Sequence, residues 1–119
     1  MTYQTFPYIC TALKFESLTL NLNDKNMIRL NVFVPVKAED RAAAVEVAKE
    51  LVKKSLNDKG CVAYDVFESA TRDNVIMICE TWENEECLDA HMKSEHFTTL
   101  VPQIEKYGPL KLEKFNFVK

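Results

Sequence analysis

Apolar and polar residues alternate along four stretches of the chain, and this period of two predicts four β-strands. The first strand begins at Met27 and ends at Pro35. It places Arg29, Asn31 and Phe33 on one face and a row of aliphatic residues on the other, namely Ile28, Leu30, Val32, Val34 and Val36. Residues 61–68 and 75–82 alternate in the same way and flank the polar loop 69–74, which predicts an antiparallel hairpin. Gly108-Pro109 precedes a last predicted strand, 110–118.

Three helices are predicted between these strands from apolar stripes and capping residues. Asp40 is the predicted N-cap of the first, which runs to about Leu56 and buries Ala44, Ala48, Leu51, Val52 and Ser55. Asn84 caps the second, with Leu88, His91 and Met92 on one face. Ser94 caps the third, whose stripe is Phe97, Leu100, Val101, Ile104 and Tyr107. Pro102 should kink or restart this last helix.

The order strand, helix, strand, strand, two helices, strand predicts an α+β fold of the ferredoxin-like, split βαβ kind. Its four-stranded antiparallel sheet carries helices on one face only, so the other, partly apolar face needs a cover. A second copy of the chain is the simplest cover, and we expect a homodimer in which two sheets form an α+β barrel. The predicted domain is 27–119. Residues 1–26 are an N-terminal extension that either adds an edge strand through Leu18, Leu20 and Leu22 or precedes a natural start at Met27.

Composition narrows the classes of partner. The 119 residues carry a net charge of −3, which argues against nucleic acid as a partner. The sequence shows neither a secretion signal nor an apolar run long enough to cross a bilayer, so we expect no membrane association and a cytoplasmic location. The four cysteines, Cys10, Cys61, Cys79 and Cys87, are then expected to be reduced and mostly buried. With only two glycines, the chain cannot form a Gly-rich dinucleotide turn.

Both histidines of the chain lie in one segment, 80–97, which is the richest in functional side chains. His91 should point toward the interior, and Glu80 and Trp82 project from one side of the preceding strand, so a pocket between sheet and helices could hold all three. Histidine is the usual proton-transfer group near neutral pH. The alternatives are that His91 only packs, and that His96 only caps a helix. No metal site is expected, because Ser94 interrupts the helix between His91 and Glu95.

Asn31 is the second candidate, since it is a polar residue in the middle of an apolar strand. It either faces a ligand cavity or makes a local hydrogen bond. Glu80 and Asp65, on neighbouring predicted strands, raise the same question.

The segment from Glu80-Thr-Trp82 through His91 to His96-Phe97 resembles the signature of the antibiotic biosynthesis monooxygenase family. Gly60-Cys-Val-Ala-Tyr64-Asp-Val resembles the family's second strand, and the likeness extends over about 27–118. The resemblance implies a dimeric α+β barrel and quinol or anthrone monooxygenases that use O2 without flavin, haem or metal. It implies His91 as the proton acceptor and Asn31 and Trp82 as hydrogen-bond donors to the substrate oxygens. The remaining substrate-binding residues would be Tyr64, Glu80, His96 and Phe97.

Two other branches of the family offer comparisons. The haem-degrading branch has a tryptophan where this chain has His91, and its iron ligand falls where this chain has Val101-Pro102, so the resemblance argues against haem. A second branch isomerises a phosphorylated sugar derivative with histidines of this segment, and Tyr64 with the two histidines is compatible with it. The sequence thus leaves three hypotheses: a cofactor-independent monooxygenase of an aromatic quinol- or anthrone-like substrate, a proton-transfer enzyme for a phosphorylated or carbonyl compound, and a non-catalytic ligand-binding dimer.

Overall fold

A four-stranded antiparallel sheet with three helices forms the part of the chain that the computed structural model describes, residues 26–117. The strands are β1 Ile28–Pro35, β2 Cys61–Glu68, β3 Val75–Trp82 and β4 Lys111–Asn116, in the order β2-β3-β1-β4. The helices are α1 Arg41–Ser55, α2 Glu85–Met92 and α3 Glu95–Glu105. This architecture confirms the predicted ferredoxin-like α+β fold, and the hairpin of β2 and β3 has the predicted bounds.

The strand register divides the side chains between two faces of the sheet. Glu80 of β3 lies opposite Leu30 of β1 and Tyr64 of β2, and these three residues are buried under the helices. We call this side the helix face. The next position, Cys79, lies opposite Asn31 and Asp65, which therefore point to the other side of the sheet. We call that side the open face, because no helix covers it in residues 26–117.

The hydrophobic core lies between the helix face and the helices. Its strand residues include the aliphatic row of β1 that the alternation predicts, and Val34 and Ile76 are at most 1% exposed. Helix α1 adds Ala44, Val45, Ala48 and Leu51, and α3 adds Leu100 and Ile104. The edge strand β4 is exposed along its whole length, with Leu112 58% and Phe115 49% exposed. The apolar surface of the open face and of β4 is what a second copy would cover, and the homodimer stays a prediction.

Several details differ from the sequence predictions. Asp40 holds the N-cap position of α1 without a side-chain capping bond, because a 3-10 turn at Ala38–Asp40 precedes the helix. Helix α3 continues through Pro102, which is exposed, so the carbonyl group that loses its partner can bond to water. Met92 is 41% exposed rather than buried, and β4 is shorter than the predicted strand.

Three further predictions concern the N-terminal extension, the cysteines and membrane association. The proposed strand at Leu18–Leu22 and the thiol of Cys10 lie outside the described residues. Among the described residues, Cys61, Cys79 and Cys87 form no disulfide, and each is half-buried rather than mostly buried as predicted. Among residues 26–117, none of the helices has the length and apolar character that a membrane span requires.

Candidate active site

A tight turn between α1 and β2 brings Asp58 against helix α2. The amide of Asp58 donates to the carbonyl of Ser55, and the amide of Cys61 donates back to the carbonyl of Asp58 at 3.1 Å. Gly60 closes the turn with a φ of +79°, a conformation that favours glycine. A Cβ atom at Gly60 would also collide with the thiol of Cys87 on α2. This glycine therefore sets how closely the Asp58 turn approaches α2.

Ser94 fixes the junction between α2 and α3, which carries the two histidines. Its hydroxyl donates to the carbonyl of His91 at 2.6 Å and accepts from the amide of Phe97 at 3.3 Å, so it stops one helix and caps the next. His91 thus lies in the last turn of α2, and His96 in the first turn of α3. The two imidazole rings come close together, with their centroids 5.7 Å apart.

The carboxylate of Asp58 joins the two histidines. Its Oδ2 atom lies 2.7 Å from Nδ1 of His91 and 2.8 Å from Nε2 of His96. A carboxylate only accepts hydrogen bonds, so Nδ1 of His91 carries a hydrogen and, in the neutral ring, Nε2 is the free acceptor. The side chains are 0% exposed for His91, 15% for His96 and 20% for Asp58. The three groups therefore run from the interior to the surface.

Aromatic rings enclose the imidazole of His91. The ring of Trp82 lies 4.5 Å away at 35°, that of Phe97 lies 5.2 Å away edge-on, and that of Tyr64 lies 5.4 Å away. Nε2 of His91 is buried and has no hydrogen-bond partner among the described residues. Burial lowers the pKa of His91, while the hydrogen bond and charge of Asp58 oppose this shift. Asp58 thus holds the ring in the tautomer with its hydrogen on Nδ1, and burial favours the neutral form.

Glu80 and Trp82 form a second polar pair beneath this ring. The indole Nε1 of Trp82 donates to Oε1 of Glu80 at 2.8 Å, and Glu80 is 5% exposed. Burial raises the pKa of Glu80 to about 7, although hydrogen bonds from Trp82 and Tyr64 oppose the rise. Burial, followed by the charge of Glu80, also raises the pKa of Tyr64 well above its usual value. The pair is satisfied within the chain, so the indole N–H is already engaged.

A surface pocket of about 230 Å³ opens beside the Asp58 and His91 pair. Its lining is formed by the turn after α1 and by one side of α2, and consists of Asp58, Lys59, Glu86, Cys87, Ala90 and His91. The pocket therefore reaches one of the predicted catalytic residues. Tyr64, Glu80 and Trp82 lie deeper, behind the imidazole.

The structure brings together six of the seven predicted site residues and separates the seventh. Tyr64, Glu80, Trp82, His91, His96 and Phe97 form one cluster between the helix face and the helices, as expected. Asn31 lies on the open face, where its strand partner is Cys79, so the prediction that it shares a pocket with His91 is wrong. The alternation of β1 is the reason, because the aliphatic row takes the helix face. The Oδ1 atom of Asn31 is buried without a hydrogen-bond partner, so the alternative of a local hydrogen bond through that atom is also unsupported.

Sequence reasoning missed Asp58, which is 33 residues before His91. The run Asn57–Gly60 indicates a helix stop, and a residue in such a turn gives no local signal of contact with a distant helix. Cys87, which lines the pocket, can be predicted to lie near His91, because it precedes His91 by four residues and so lies on the same side of the helix. Asp58, His91 and His96 each offer one ligand atom within 4.8 Å of the others, and so are the described residues that could hold a metal ion.

Fold and site together define a small α+β protein with an enclosed, carboxylate-oriented histidine next to a small pocket. The sequence profile of the antibiotic biosynthesis monooxygenase family matches residues 27–103. The chain belongs to this family.

Individual relatives agree with this assignment. The chain is 32% identical over 75 residues to the Bacillus subtilis (strain 168) protein named "Putative monooxygenase YcnE", covering 63% of this chain and 79% of that one. A crystal structure of a conserved Bacteroides thetaiotaomicron protein of unknown function, described as "Possible Oxidoreductase", is 55% identical with a TM-score of 0.76. That match covers 78% of this chain and 99% of the other. A structure titled "Putative antibiotic biosynthesis monooxygenase from Nitrosomonas europaea" is 19% identical with a TM-score of 0.73. That match covers 78% of this chain and 91% of the other, and it supports the fold alone.

Proposed function

We propose that the protein is a monooxygenase that oxidises a small aromatic, quinol-like substrate with O2, without a bound cofactor, and that His91 is its base. The observation that carries the proposal is the imidazole of His91, held through Nδ1 by Asp58 with Nε2 buried and unpartnered. An oriented, neutral imidazole in a water-poor site is suited to accept a phenolic proton. The family and the name of the Bacillus subtilis relative support a monooxygenase type of reaction.

The chemistry of such a substrate needs few groups from the protein. When the phenol O–H gives its proton to Nε2 of His91, the phenolate can pass one electron to O2. The resulting superoxide and the ring radical combine to form a C–O bond, and His91 returns its proton to the peroxide. Loss of water breaks the O–O bond, removes the ring hydrogen and leaves a carbonyl group on that carbon. One oxygen atom enters the product, the other leaves as water, and His91 ends in its starting state.

The pocket favours a substrate with a single ring. Its volume of about 230 Å³ is below the range of about 300–1,000 Å³ that is typical of drug-sized ligands. A hydroquinone suits this size better than a three-ring anthrone. Because Nε2 of His91 is enclosed by the surrounding rings, the substrate hydroxyl must displace neighbouring side chains to reach it.

Oxygen consumption with a panel of hydroquinones and anthrones tests the proposal. Replacing the base in His91→Gln should lower kcat by about 10²- to 10⁴-fold, the usual contribution of general base catalysis. His96→Gln is the matched comparison, since it alters the other histidine on the same Asp58 oxygen, and it should lower kcat far less. Turnover within about threefold of wild type in a folded His91→Gln variant would contradict the proposal, because a base contributes far more.

The proton-transfer alternative has its own test. A phosphate analogue that raises Tm, with no oxygen consumption on any phenol, would favour an enzyme for phosphorylated compounds. The non-catalytic alternative would be favoured if no cavity reached His91. The pocket beside Asp58 has His91 in its lining, but the side chain of His91 is 0% exposed, so the oxygen-consumption assay decides between the two hypotheses.

We also propose that the working unit is a homodimer formed through the open face. Phe33, Phe67 and Met77 line a cavity of about 190 Å³ on that side, at the end of the sheet near the 69–74 loop. Among the described residues, β4 exposes Leu112 and Phe115, and the side chains of Phe33, Phe67 and Met77 are only half-buried, so a second copy could cover this apolar surface. Sedimentation equilibrium should give about twice the chain mass of 13.7 kDa, and a monomer at micromolar concentration would contradict the dimer.

A further inference from the structure

The cluster of Asp58, His91 and His96 has a donor set that is common in metal sites. Nδ1 of His91 and Nε2 of His96 both point at Oδ2 of Asp58, and the three atoms lie within 4.8 Å of one another. Two imidazole nitrogens and one carboxylate oxygen suit divalent transition metals. We propose that this cluster binds one divalent transition-metal ion, such as Zn²⁺, at the mouth of the pocket.

The geometry requires two ligand distances to lengthen and the third, between the two histidine nitrogens that lie within 4.8 Å of each other, to adjust to the same spacing. In a tetrahedral zinc site with bonds of about 2.0–2.1 Å, neighbouring ligand atoms are about 3.3 Å apart. The two N···O distances of 2.7 and 2.8 Å would therefore lengthen by about half an ångström while the hydrogens between the atoms leave. Asp58 can make this movement, because it lies in a turn and its side chain is 20% exposed.

The open side of the cluster can complete the coordination. Asp58 and His91 line the pocket together with Glu86 and Cys87, so water, a carboxylate or a thiolate can reach a fourth position. Three protein ligands with one open position are typical of zinc sites that exchange a ligand. Lys59 is the one cationic side chain in the lining, and it is exposed, so its charge can turn toward water.

Metal binding would change what His91 can do. An ion on Nδ1 takes the place of the hydrogen that Asp58 now accepts, and the neutral ring then keeps its hydrogen on Nε2. In that state Nε2 donates a hydrogen bond and no longer accepts a proton. This consequence rests on the proposed function, whereas the metal site itself does not.

Direct binding measurements test the site without any substrate. Titration of the reduced, full-length protein with Zn²⁺ against a competing chelator should show one ion per chain. His96→Gln and Asp58→Asn should each weaken Zn²⁺ binding at least about tenfold, since even outer-shell partners contribute about 10- to 100-fold. Glu95→Gln is the matched control, because this exposed residue adjoins His96 outside the cluster, and it should leave the affinity unchanged.

Two spectroscopic readouts identify the ligands. Because the chain has only two histidines, long-range ¹H–¹⁵N spectra should show Zn²⁺ on Nδ1 of His91 and Nε2 of His96, with a hydrogen remaining on Nε2 of His91. The Co²⁺-loaded protein should lose its visible bands in both ligand variants. Binding that survives His96→Gln and Asp58→Asn, or a cobalt–thiolate band that is the same in wild type and in both variants, would overturn the proposal. Either result leaves the oxygen-consumption test of His91 unaffected, so the two proposals can fail separately.

Discussion

The two faces of the sheet use the same strands for different purposes. On the helix face, Glu80 and Trp82 are buried and bonded to each other, and they lie beneath an imidazole that Asp58 orients. On the open face, the neighbouring Cys79 is half-buried and accepts a hydrogen bond from Nε of Arg29 at 3.0 Å. Burial raises the pKa of the Cys79 thiol, and the adjacent Arg29 partly offsets that rise. The adjacent positions Glu80 and Cys79 of β3 thus face opposite sides of the sheet, one toward the enclosed acid–base cluster and the other toward a partly exposed surface.

If both proposals hold, this difference separates catalysis from assembly. The proposed base, its orienting carboxylate and the aromatic wall around them all come from a single chain. The open face contributes none of these groups, although the proposed dimer would use it. Changes on the helix face should therefore alter chemistry and stability, and changes on the open face should alter neither of them strongly in the isolated chain.

Among substitutions that test the difference between the two faces, Asp58→Asn at the site on the helix face is expected to have the largest effect. The amide can still accept the Nδ1 hydrogen of His91, but it cannot stabilise the imidazolium with a charge, so kcat should fall by about 10- to 1,000-fold. The pKa of His91 should also fall further, because Asp58 now raises it. NMR titration of His91, together with oxygen consumption, measures both changes.

A control variant shows whether the loss of kcat depends on the hydrogen bond between Asp58 and His91. Asp89→Asn removes a carboxylate from the exposed side of α2, and it should leave the rate and the pKa of His91 unchanged. If Asp58→Asn lowers the rate without moving the pKa of His91, Asp58 does not act through this histidine and the assigned pairing is wrong.

The second effect concerns stability and comes from Glu80. The folded-state pKa of about 7 is above the unfolded value, so the protonated carboxyl stabilises the fold fully below about pH 4.5. As pH rises to 7, this stabilisation should be lost, and the free energy of unfolding should fall by about 3 kcal/mol. Glu80→Gln keeps an acceptor for the indole of Trp82 and should remove that loss. Urea unfolding between pH 4.5 and 7.5 measures it, as the difference between wild type and variant.

The exposed Glu83 provides the comparison for this experiment, since it lies just beyond the same strand. Glu83→Gln should keep the wild-type dependence of stability on pH. Equal slopes in wild type and Glu80→Gln would show that the carboxyl of Glu80 is ionised at the same pH in folded and unfolded chains, and would contradict its burial as a neutral group.

Local patterns in the sequence were sufficient to predict most of the fold. Alternation gave the bounds of β2 and β3, and the capping residues Asn84 and Ser94 predicted where α2 and α3 begin, because each of these signals depends on nearest neighbours along the chain. Pro102 shows the limit of such rules, since exposure to water lets α3 continue through it.

The site was only partly predictable for the same reason. His91 and Trp82 are within ten residues of each other, and the helix and strand periods place both toward the interior. The contact of Asp58 with His91 depends on how closely the Gly60 turn packs against α2, which no local period specifies. The wrong prediction for Asn31 has another origin: a polar residue within an apolar strand indicates a cavity only if it lies on the same face as the site, and alternation assigns Asn31 to the opposite face.

The smallest effect is expected on the open face, from Asn31→Leu. Because Oδ1 of Asn31 is buried without a partner, an apolar side chain of similar shape should change the free energy of unfolding by less than about 1 kcal/mol. Turnover should stay within about threefold of wild type, since a group that does not touch the substrate has no part in the proton transfer. The adjacent Leu30→Asn gives the opposite case, because it buries an amide on the helix face and should cost about 3 kcal/mol or more. A loss of turnover in Asn31→Leu comparable to that in His91→Gln, with unchanged stability, would mean that the open face contributes to catalysis and that the two faces are not independent.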